Sequence, residues 1–115
     1  MFKVWNSTDN TVLFSLNTGS TINNMRYFAS PMGPQYDEVY LALMNGTYLV
    51  YETENYTLVN SGNYPNSGYA LEIGFINSTT FDCFILAGYD GLANNPNYHI
   101  YNRTNGNLLH SIAVA

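Results

Sequence analysis

The side chains able to do acid–base, nucleophilic or metal chemistry are few in this chain. Its two histidines, His99 and His110, stand at unrelated places with no carboxylate at a metal-ligand spacing, so they do not make a zinc-site pattern. We expect His99 to be a partly exposed strand residue and His110 to be exposed on an outer strand. The single cysteine, Cys83, lies in an apolar run, which favours a small buried hydrophobe over a nucleophile with a neighbouring base. One cysteine forms neither an intrachain disulfide nor a thiolate cluster.

The acidic residues form no catalytic pair. Glu38 and Asp82 each open an apolar run, where a carboxylate can cap a strand or, in a ring of copies, line the end of a channel. Asp9 and Asp90 each begin a turn dipeptide, but the Asp-x-Asp-x-Asp-Gly spacing of calcium loops is absent. Arg26 with Glu38 is the one pair of converging charges that the pattern offers. We therefore expect a chain that is not an enzyme and that has no catalytic residue, cofactor or metal.

The aromatic residues offer a binding chemistry, because aromatic faces stack on other flat or apolar surfaces, sugar rings among them. The chain has 11 Tyr and 6 Phe, and many of them take repeated, core-facing places. Tyr64, Tyr69 and Tyr89 fall between these places and are the candidates for ligand stacking. A lectin-like, glycan-binding module is accordingly an alternative function.

Five Asn-x-Ser/Thr triplets are acceptors for N-linked glycans, and they begin at Asn6, Asn45, Asn55, Asn77 and Asn102. They indicate a glycosylated protein of the cell surface or extracellular space, although an Asn- and Thr-rich chain also produces such triplets by accident. The start of the chain lacks the apolar stretch of a signal peptide. The protein is therefore expected either to be cytoplasmic or to have lost a leader before residue 1.

Composition excludes two classes of partner. Three cations stand against eight acids, for a net charge of −5, whereas phosphate binding needs clustered cations, so we expect no nucleic acid and no basic membrane-binding patch. No apolar run approaches the ~18 residues of a membrane span. Polarity comes from Asn, Ser, Thr, Gly and Tyr, which together favour turns and strands.

A repeated hairpin positions these residues. Trp5, Tyr51 and Tyr101 each follow a β-branched residue and precede a turn and two aliphatics, with spacings of 46 and 50 residues. The aliphatic pairs are Val12-Leu13, Leu58-Val59 and Leu108-Leu109. The turns are centred on Asp9-Asn10, Asn55-Tyr56 and Asn105-Gly106. A two-residue turn needs positive φ at both centres, which Asn, Asp and Gly tolerate, so a longer turn is predicted only at Tyr56.

Two further strands lie between successive hairpins. Their predicted ranges are 24–29 and 38–43 in the first unit and 70–76 and 82–87 in the second. The second strand of each unit is apolar on both faces, as expected of a strand packed between two sheets. Four strands in a period of about 40–50 residues are typical of propeller blades. The sequence thus predicts an all-β fold, a partial β-propeller of about two and a half four-stranded antiparallel blades. A β-sandwich, which also has turns every ~8–12 residues, is the alternative fold, but it gives no reason for the same hairpin to recur three times.

One unit resembles a blade of the WD40 and YVTN-type propellers. The matching segments are Ser30-Pro31-Met32-Gly33, Val39-Tyr40-Leu41-Ala42, Gly46-Thr47-Tyr48-Leu49-Val50-Tyr51 and Thr57-Leu58-Val59. Those families have a Ser-Pro-x-Gly turn, a Val-Tyr-Val-type strand and a hairpin, and Trp5-Asn6 resembles their Trp-Asp dipeptide. The Gly-His pair of true WD40 repeats is absent, so the YVTN type is the closer resemblance. The resemblance implies the propeller fold alone.

The repeat divides the chain into an outer half blade at 1–18, a blade at 19–62 and a blade at 63–115. The half blade lacks inner strands, and a propeller needs about four or more blades. The missing blades are expected from a longer chain, from identical subunits joined through open blade edges, or from a filament. We expect a non-enzymatic binding or structural subunit. The alternatives are a self-assembling glycan-binding propeller and a fragment of a larger propeller enzyme.

Overall fold

Ten β-strands make up the described part of the chain, which in this computed structural model is residues 1–64, 69–76, 83–89 and 96–113. The strands are β1 (Phe2–Trp5), β2 (Val12–Leu16), β3 (Ile22–Phe28), β4 (Glu38–Leu43), β5 (Thr47–Glu52), β6 (Leu58–Asn63), β7 (Tyr69–Ile76), β8 (Cys83–Tyr89), β9 (Pro96–Asn102) and β10 (Leu108–Ala113). A 3-10 turn, Pro34–Tyr36, precedes β4. The prediction for β4 has the observed bounds, and Asp82, predicted to open β8, lies outside the described residues.

The strands form three antiparallel sheets in chain order. β1 and β2 make the N-terminal hairpin, β3 to β6 make the middle sheet, and β7 to β10 make the C-terminal sheet. Within each sheet, strands adjacent in sequence are neighbours. The predicted all-β, antiparallel character is confirmed, with sheets of two, four and four strands.

The three outer hairpins share one loop geometry. Their closing backbone bonds join Asn6 to Thr11, Glu52 to Thr57 and Asn102 to Asn107, at 2.8, 3.0 and 2.8 Å. The last loop residue is left-handed in each: Asn10, Tyr56 and Gly106 have φ of 59°, 58° and 74°. The two-residue turns predicted at Asp9-Asn10 and Asn105-Gly106 are therefore wrong, because those loops are longer and only the second member of each pair has positive φ. The longer turn predicted at Tyr56 is confirmed. One left-handed residue suffices, and Tyr56 occupies that place despite its side chain.

A β-bulge follows each of these loops at the same place. In the first hairpin Trp5 pairs with Val12 and Val4 with Phe14, so that Leu13 is the extra residue. Val59 and Leu109 are the extra residues of the other two hairpins. The aliphatic pair that recurs in the sequence is thus a repeated bulge, and all of its members are exposed. Bulges of this kind bend the strand and increase its twist.

The middle sheet lies between the other two sheets. Leu41 of β4 packs with Phe2 of the N-terminal hairpin, whereas Tyr40 packs with Phe84 of the C-terminal sheet, ring to ring at 5.1 Å. Successive residues of a strand point to opposite faces, so β4 is buried on both faces. This confirms the sequence prediction for that strand.

Candidate functional site

One face of the middle sheet, here called its front face, is covered by the C-terminal sheet. Two cross-strand pairs form this face, Tyr40 with Val50 and Ala42 with Tyr48. All four residues are at most 4% exposed, because the C-terminal sheet covers them. The ring of Tyr48, for example, lies 5.3 Å from that of Phe84. The opposite face of the middle sheet, its back face, receives the N-terminal hairpin.

The C-terminal sheet has the corresponding front face, and there it is open. Ile85 pairs with Ile100, and Ala87 with Tyr98, in the register of the middle-sheet pairs. Tyr98 is 43% exposed, whereas Tyr48, its equivalent, is 4% exposed. A surface built for burial in one sheet is therefore presented to solvent in the next.

A shallow depression of about 440 Å³ lies on this open face. Arg26 and Glu72 stand at its rim as an exposed ion pair, with Nη2 and Oε1 3.4 Å apart. The predicted convergence of Arg26 with Glu38 is therefore wrong. Arg26 lies on β3 and reaches the neighbouring β7, while Glu38 is bound by another cation.

A second uncovered surface is a cleft of about 630 Å³ between the N-terminal hairpin and the middle sheet. β1 forms one wall, and Met25, Tyr27 and Val39 form the facing surface. Tyr27 and Val39 are cross-strand partners and share the back face of the middle sheet. Trp5, Met25 and Tyr27 are 54%, 55% and 58% exposed. Nζ of Lys3 lies 5.8 Å from the Trp5 ring centroid, so the cleft has an apolar lining and one nearby cation.

Asp37 positions Tyr27 at this cleft by a hydrogen bond. Its carboxylate is buried, accepts the Tyr27 hydroxyl, and also accepts the Ser30 N–H at 2.7 Å. Its backbone oxygen accepts the Thr53 N–H at 3.1 Å. Asp37 is not among the residues predicted from the sequence. The signal was an Asp four residues after the Ser-Pro-x-Gly turn, close enough for its carboxylate to bind a turn amide.

A buried ion pair joins the middle and C-terminal sheets. Nη1 of Arg103 lies 2.5 Å from Oε1 of Glu38, and the two side chains are only 14% and 15% exposed. The guanidinium carbon of Arg103 lies 3.9 Å from the Phe28 ring centroid. The Tyr40 hydroxyl donates to the same Glu38 oxygen at 3.1 Å. Burial, and then the charge of Glu38, raise the pKa of Tyr40, so this tyrosine stays a neutral donor.

His99 and Tyr64 lie together inside the same interface. His99 is buried, with Nδ1 2.8 Å from the Ser111 hydroxyl. Its ring packs edge to face with that of Tyr64, with the ring centroids 4.8 Å apart. The expectation of a partly exposed His99 is therefore wrong, whereas His110 is exposed as predicted. Tyr64 is buried and donates its hydroxyl to the Asn97 backbone oxygen at 2.8 Å. Its ring belongs to the core and has no open face for a ligand.

Tyr69 and Tyr89 are the other two candidates for ligand stacking. Tyr89, at the end of β8, is half-buried, and the Tyr69 side chain lies outside the described residues. The structure brings Tyr64 and Tyr89 to no common surface that it describes. A sugar site of stacked tyrosines thus rests on the sequence pattern alone.

The acceptor asparagines lie in or beside loops. Asn45 and Asn55 are exposed, Asn6 and Asn102 are half-buried, and Asn77 lies outside the described residues. Three of these side chains accept the N–H of the Thr two residues on: Asn6 from Thr8 at 2.9 Å, Asn45 from Thr47 at 3.0 Å and Asn102 from Thr104 at 2.8 Å. The Asn-x-Thr spacing therefore also closes turns, which is a structural reason for its recurrence.

Within the described ranges, no group of three or more His, Cys, Asp or Glu side chains is placed to hold a metal ion. Glu38 is engaged by Arg103, Cys83 is buried, and Asp9 binds the Thr11 amide and hydroxyl of its own loop. Asp82 and Asp90 lie outside the described residues. Of the acids that the structure describes here, Asp9 thus closes a loop and Glu38 joins two sheets.

Comparison of the chain with protein-family models, with curated proteins and with solved structures gives no match. In the part of the chain that the structure describes, no helix has the length and apolar character needed to cross a membrane. The open front face of the C-terminal sheet and the cleft beside β1 are the features from which a function can be inferred.

Proposed function

We propose that this chain is a non-enzymatic module of the β-propeller type that works as a binding or assembly subunit. The observation that carries the proposal is the open front face of the C-terminal sheet. Its residues stand in the register of a face that the same chain buries elsewhere, and Tyr98 is 43% exposed where Tyr48 is 4% exposed. A sheet face of this kind is complete only when another sheet covers it.

The partner that fits this face is a back face of the same repeat. Within the chain, the front face of the middle sheet receives Phe84 and Tyr101 from the back face of the C-terminal sheet. A further sheet of that chemistry, in a longer chain or in an identical subunit, would pack on Ile85 and Tyr98 in the same way. Between identical subunits the contact is head-to-tail, and such contacts give rings or fibres according to the rotation between copies.

Sedimentation equilibrium over a range of protein concentration tests the proposal. We expect the chain to self-associate, and Tyr98→Asp to shift the equilibrium towards the 12.9 kDa monomer. Tyr36→Asp is the matched control, because Tyr36 is also exposed but lies in the 3-10 turn away from the front face. A chain that stays monomeric at all concentrations, or that responds equally to both substitutions, would refute assembly through this face.

Export and glycosylation form a separate part of the proposal. Asn45 and Asn55 are exposed acceptors on loops, where an oligosaccharide meets no packed surface. Mass spectrometry of material from the native source should show hexose increments on peptides that contain these residues. Unmodified Asn45 and Asn55 in native material would exclude glycosylation there.

A further inference from the structure

The edge of β1 that faces away from β2 differs from the corresponding edges of the other sheets. β5 pairs with β4 on one side and β6 on the other, and β9 pairs with β8 and β10. β1 corresponds to β5 and β9 in the repeat, yet in the described part of the chain it pairs with β2 alone. The backbone groups along that edge of Phe2–Trp5 can therefore accept a further strand.

The cleft beside this edge has an open volume and a largely apolar lining. Its volume is about 630 Å³, and Met25 and Tyr27 lie across it on the back face of the middle sheet. Both side chains are more than half exposed, and so is Trp5 at the end of β1. On the other face of the middle sheet the corresponding space is occupied, because β7 and β8 pack there through Ile73, Phe75 and Phe84.

We infer that this cleft binds an extended peptide strand, which adds to the open edge of β1 and is apolar where it faces the middle sheet and acidic opposite Lys3. This inference deepens the proposed function, on which it rests for the equivalence of the three hairpins. It concerns a different surface, at the opposite end of the stack of sheets from the open front face. The occupant is an extended segment of a partner, antiparallel to β1.

The repeat supplies the register and the side chains that the strand must carry. In the middle sheet, Val39, Tyr40, Leu41 and Ala42 of β4 stand opposite Tyr51, Val50, Leu49 and Tyr48. In the C-terminal sheet, Phe84, Ile85, Leu86 and Ala87 of β8 stand opposite Tyr101, Ile100, His99 and Tyr98. On β1 the equivalent positions are Trp5, Val4, Lys3 and Phe2. The docked strand therefore needs an aliphatic or aromatic residue opposite Val4 and a small residue opposite Phe2.

Lys3 gives the site its charge preference. The equivalent positions hold Leu49 and His99, which are half-buried and buried, whereas Lys3 is an exposed cation beside the Trp5 ring. The residues opposite them, Leu41 and Leu86, are aliphatic. Opposite charges across a strand pair stabilise it, so a carboxylate is favoured opposite Lys3.

Fluorescence of Trp5 measures binding directly, because Trp5 is the one tryptophan of the chain and lies at the cleft. The probe is a blocked synthetic peptide with the sequence of residues 37–44, together with its Leu41→Glu and Leu41→Lys forms. We expect the Leu41→Glu peptide to bind about threefold more tightly than the unmodified peptide, and the Leu41→Lys peptide more weakly. In the Lys3→Glu protein the preference should reverse.

Two further variants locate the site. Met25→Glu, which places a charge in the cleft, should weaken peptide binding by about tenfold. Met32→Glu is the matched control, since Met32 is exposed on the loop before β4 and does not line the cleft. Absence of a saturable Trp5 response, equal affinities for the two charged peptides, or equal effects of the two Met variants would overturn the inference. Titration of the Tyr98→Asp protein with the same peptide distinguishes failure of this inference from failure of the proposed self-association. Peptide binding tests the cleft, whereas self-association through the front face is measured separately, from the mass in solution.

Discussion

The guanidinium of Arg103 and the carboxylate of Glu38 meet at 2.5 Å although 65 residues separate them in the chain. Arg103 belongs to the last hairpin loop, and Glu38 opens β4 of the middle sheet. The Arg103 side chain also covers the Phe28 ring. One side chain thus neutralises a buried acid and packs on an aromatic residue across the interface between two sheets.

Removal of Arg103 should destabilise the fold strongly. In Arg103→Met the Glu38 carboxylate, 15% exposed in the wild type, loses its cation, which should cost about 3 kcal/mol, the lower end of the penalty for breaking a fully buried pair. Urea unfolding of wild type and variant measures the change. Arg26→Met is the control, because the Arg26–Glu72 pair is exposed and such pairs contribute about 1 kcal/mol or less. Equal losses in the two variants would show that the buried pair does not join the sheets.

Gly62 should not tolerate a side chain. A Cβ on Gly62 would lie 2.6 Å from Cε1 of Tyr48, its cross-strand partner, and that ring is fixed in the core. Gly62→Ala should therefore cost about 1–3 kcal/mol by overpacking. Gly74→Ala is the control, because a Cβ there meets nothing within 4 Å. A Gly62→Ala protein as stable as the Gly74→Ala protein would mean that the Tyr48 ring can move aside.

Tyr56 should be coupled to Phe14. Its left-handed backbone disfavours a tyrosine, yet its ring stacks on Phe14 with centroids 5.3 Å apart and planes at 16°. Tyr56→Asn removes the stacking and suits the backbone, whereas Phe14→Leu removes the stacking alone. A double-mutant cycle from unfolding free energies should give a coupling of about 0.5–1.5 kcal/mol. Additive effects would show that the stacking does not explain why a tyrosine occupies this turn.

Stability should fall in alkaline solution. Burial, and then the neighbouring Tyr48, raise the pKa of Tyr101 to about 12, against about 10 in an unfolded chain. The folded state therefore binds more protons than the unfolded state between these values, so the contribution is complete below pH ~10 and is lost as pH rises towards ~12. Urea midpoints across this range should decrease, and less so in Tyr101→Phe. An equal decrease in both proteins would assign the effect to other groups.

Much of the fold could be predicted because the repeat consists of residues that lie close together in the sequence. The recurring aromatic, turn and aliphatic pair located all three hairpins, and the two-faced apolar pattern located β4. The burial of His99 was missed, because it depends on which face of its sheet the neighbouring sheet covers. Arg103 with Glu38 was missed for a related reason: contacts between sheets follow from how the sheets stack, and no local pattern states this. The left-handed Tyr56 was missed because its Phe14 partner lies in another hairpin.

The bulges at Leu13, Val59 and Leu109 affect which edges of the sheets can accept a further strand. They kink β2, β6 and β10, the last strand of each sheet, which forms one of its two edges, and a kinked edge is a poor template for a foreign strand. Sideways polymerisation into amyloid-like ribbons is thereby discouraged even though the same strands expose aliphatic side chains. Further strands and sheets are therefore expected at the open edge of β1 and on the open front face of the C-terminal sheet, and not beside β2, β6 or β10.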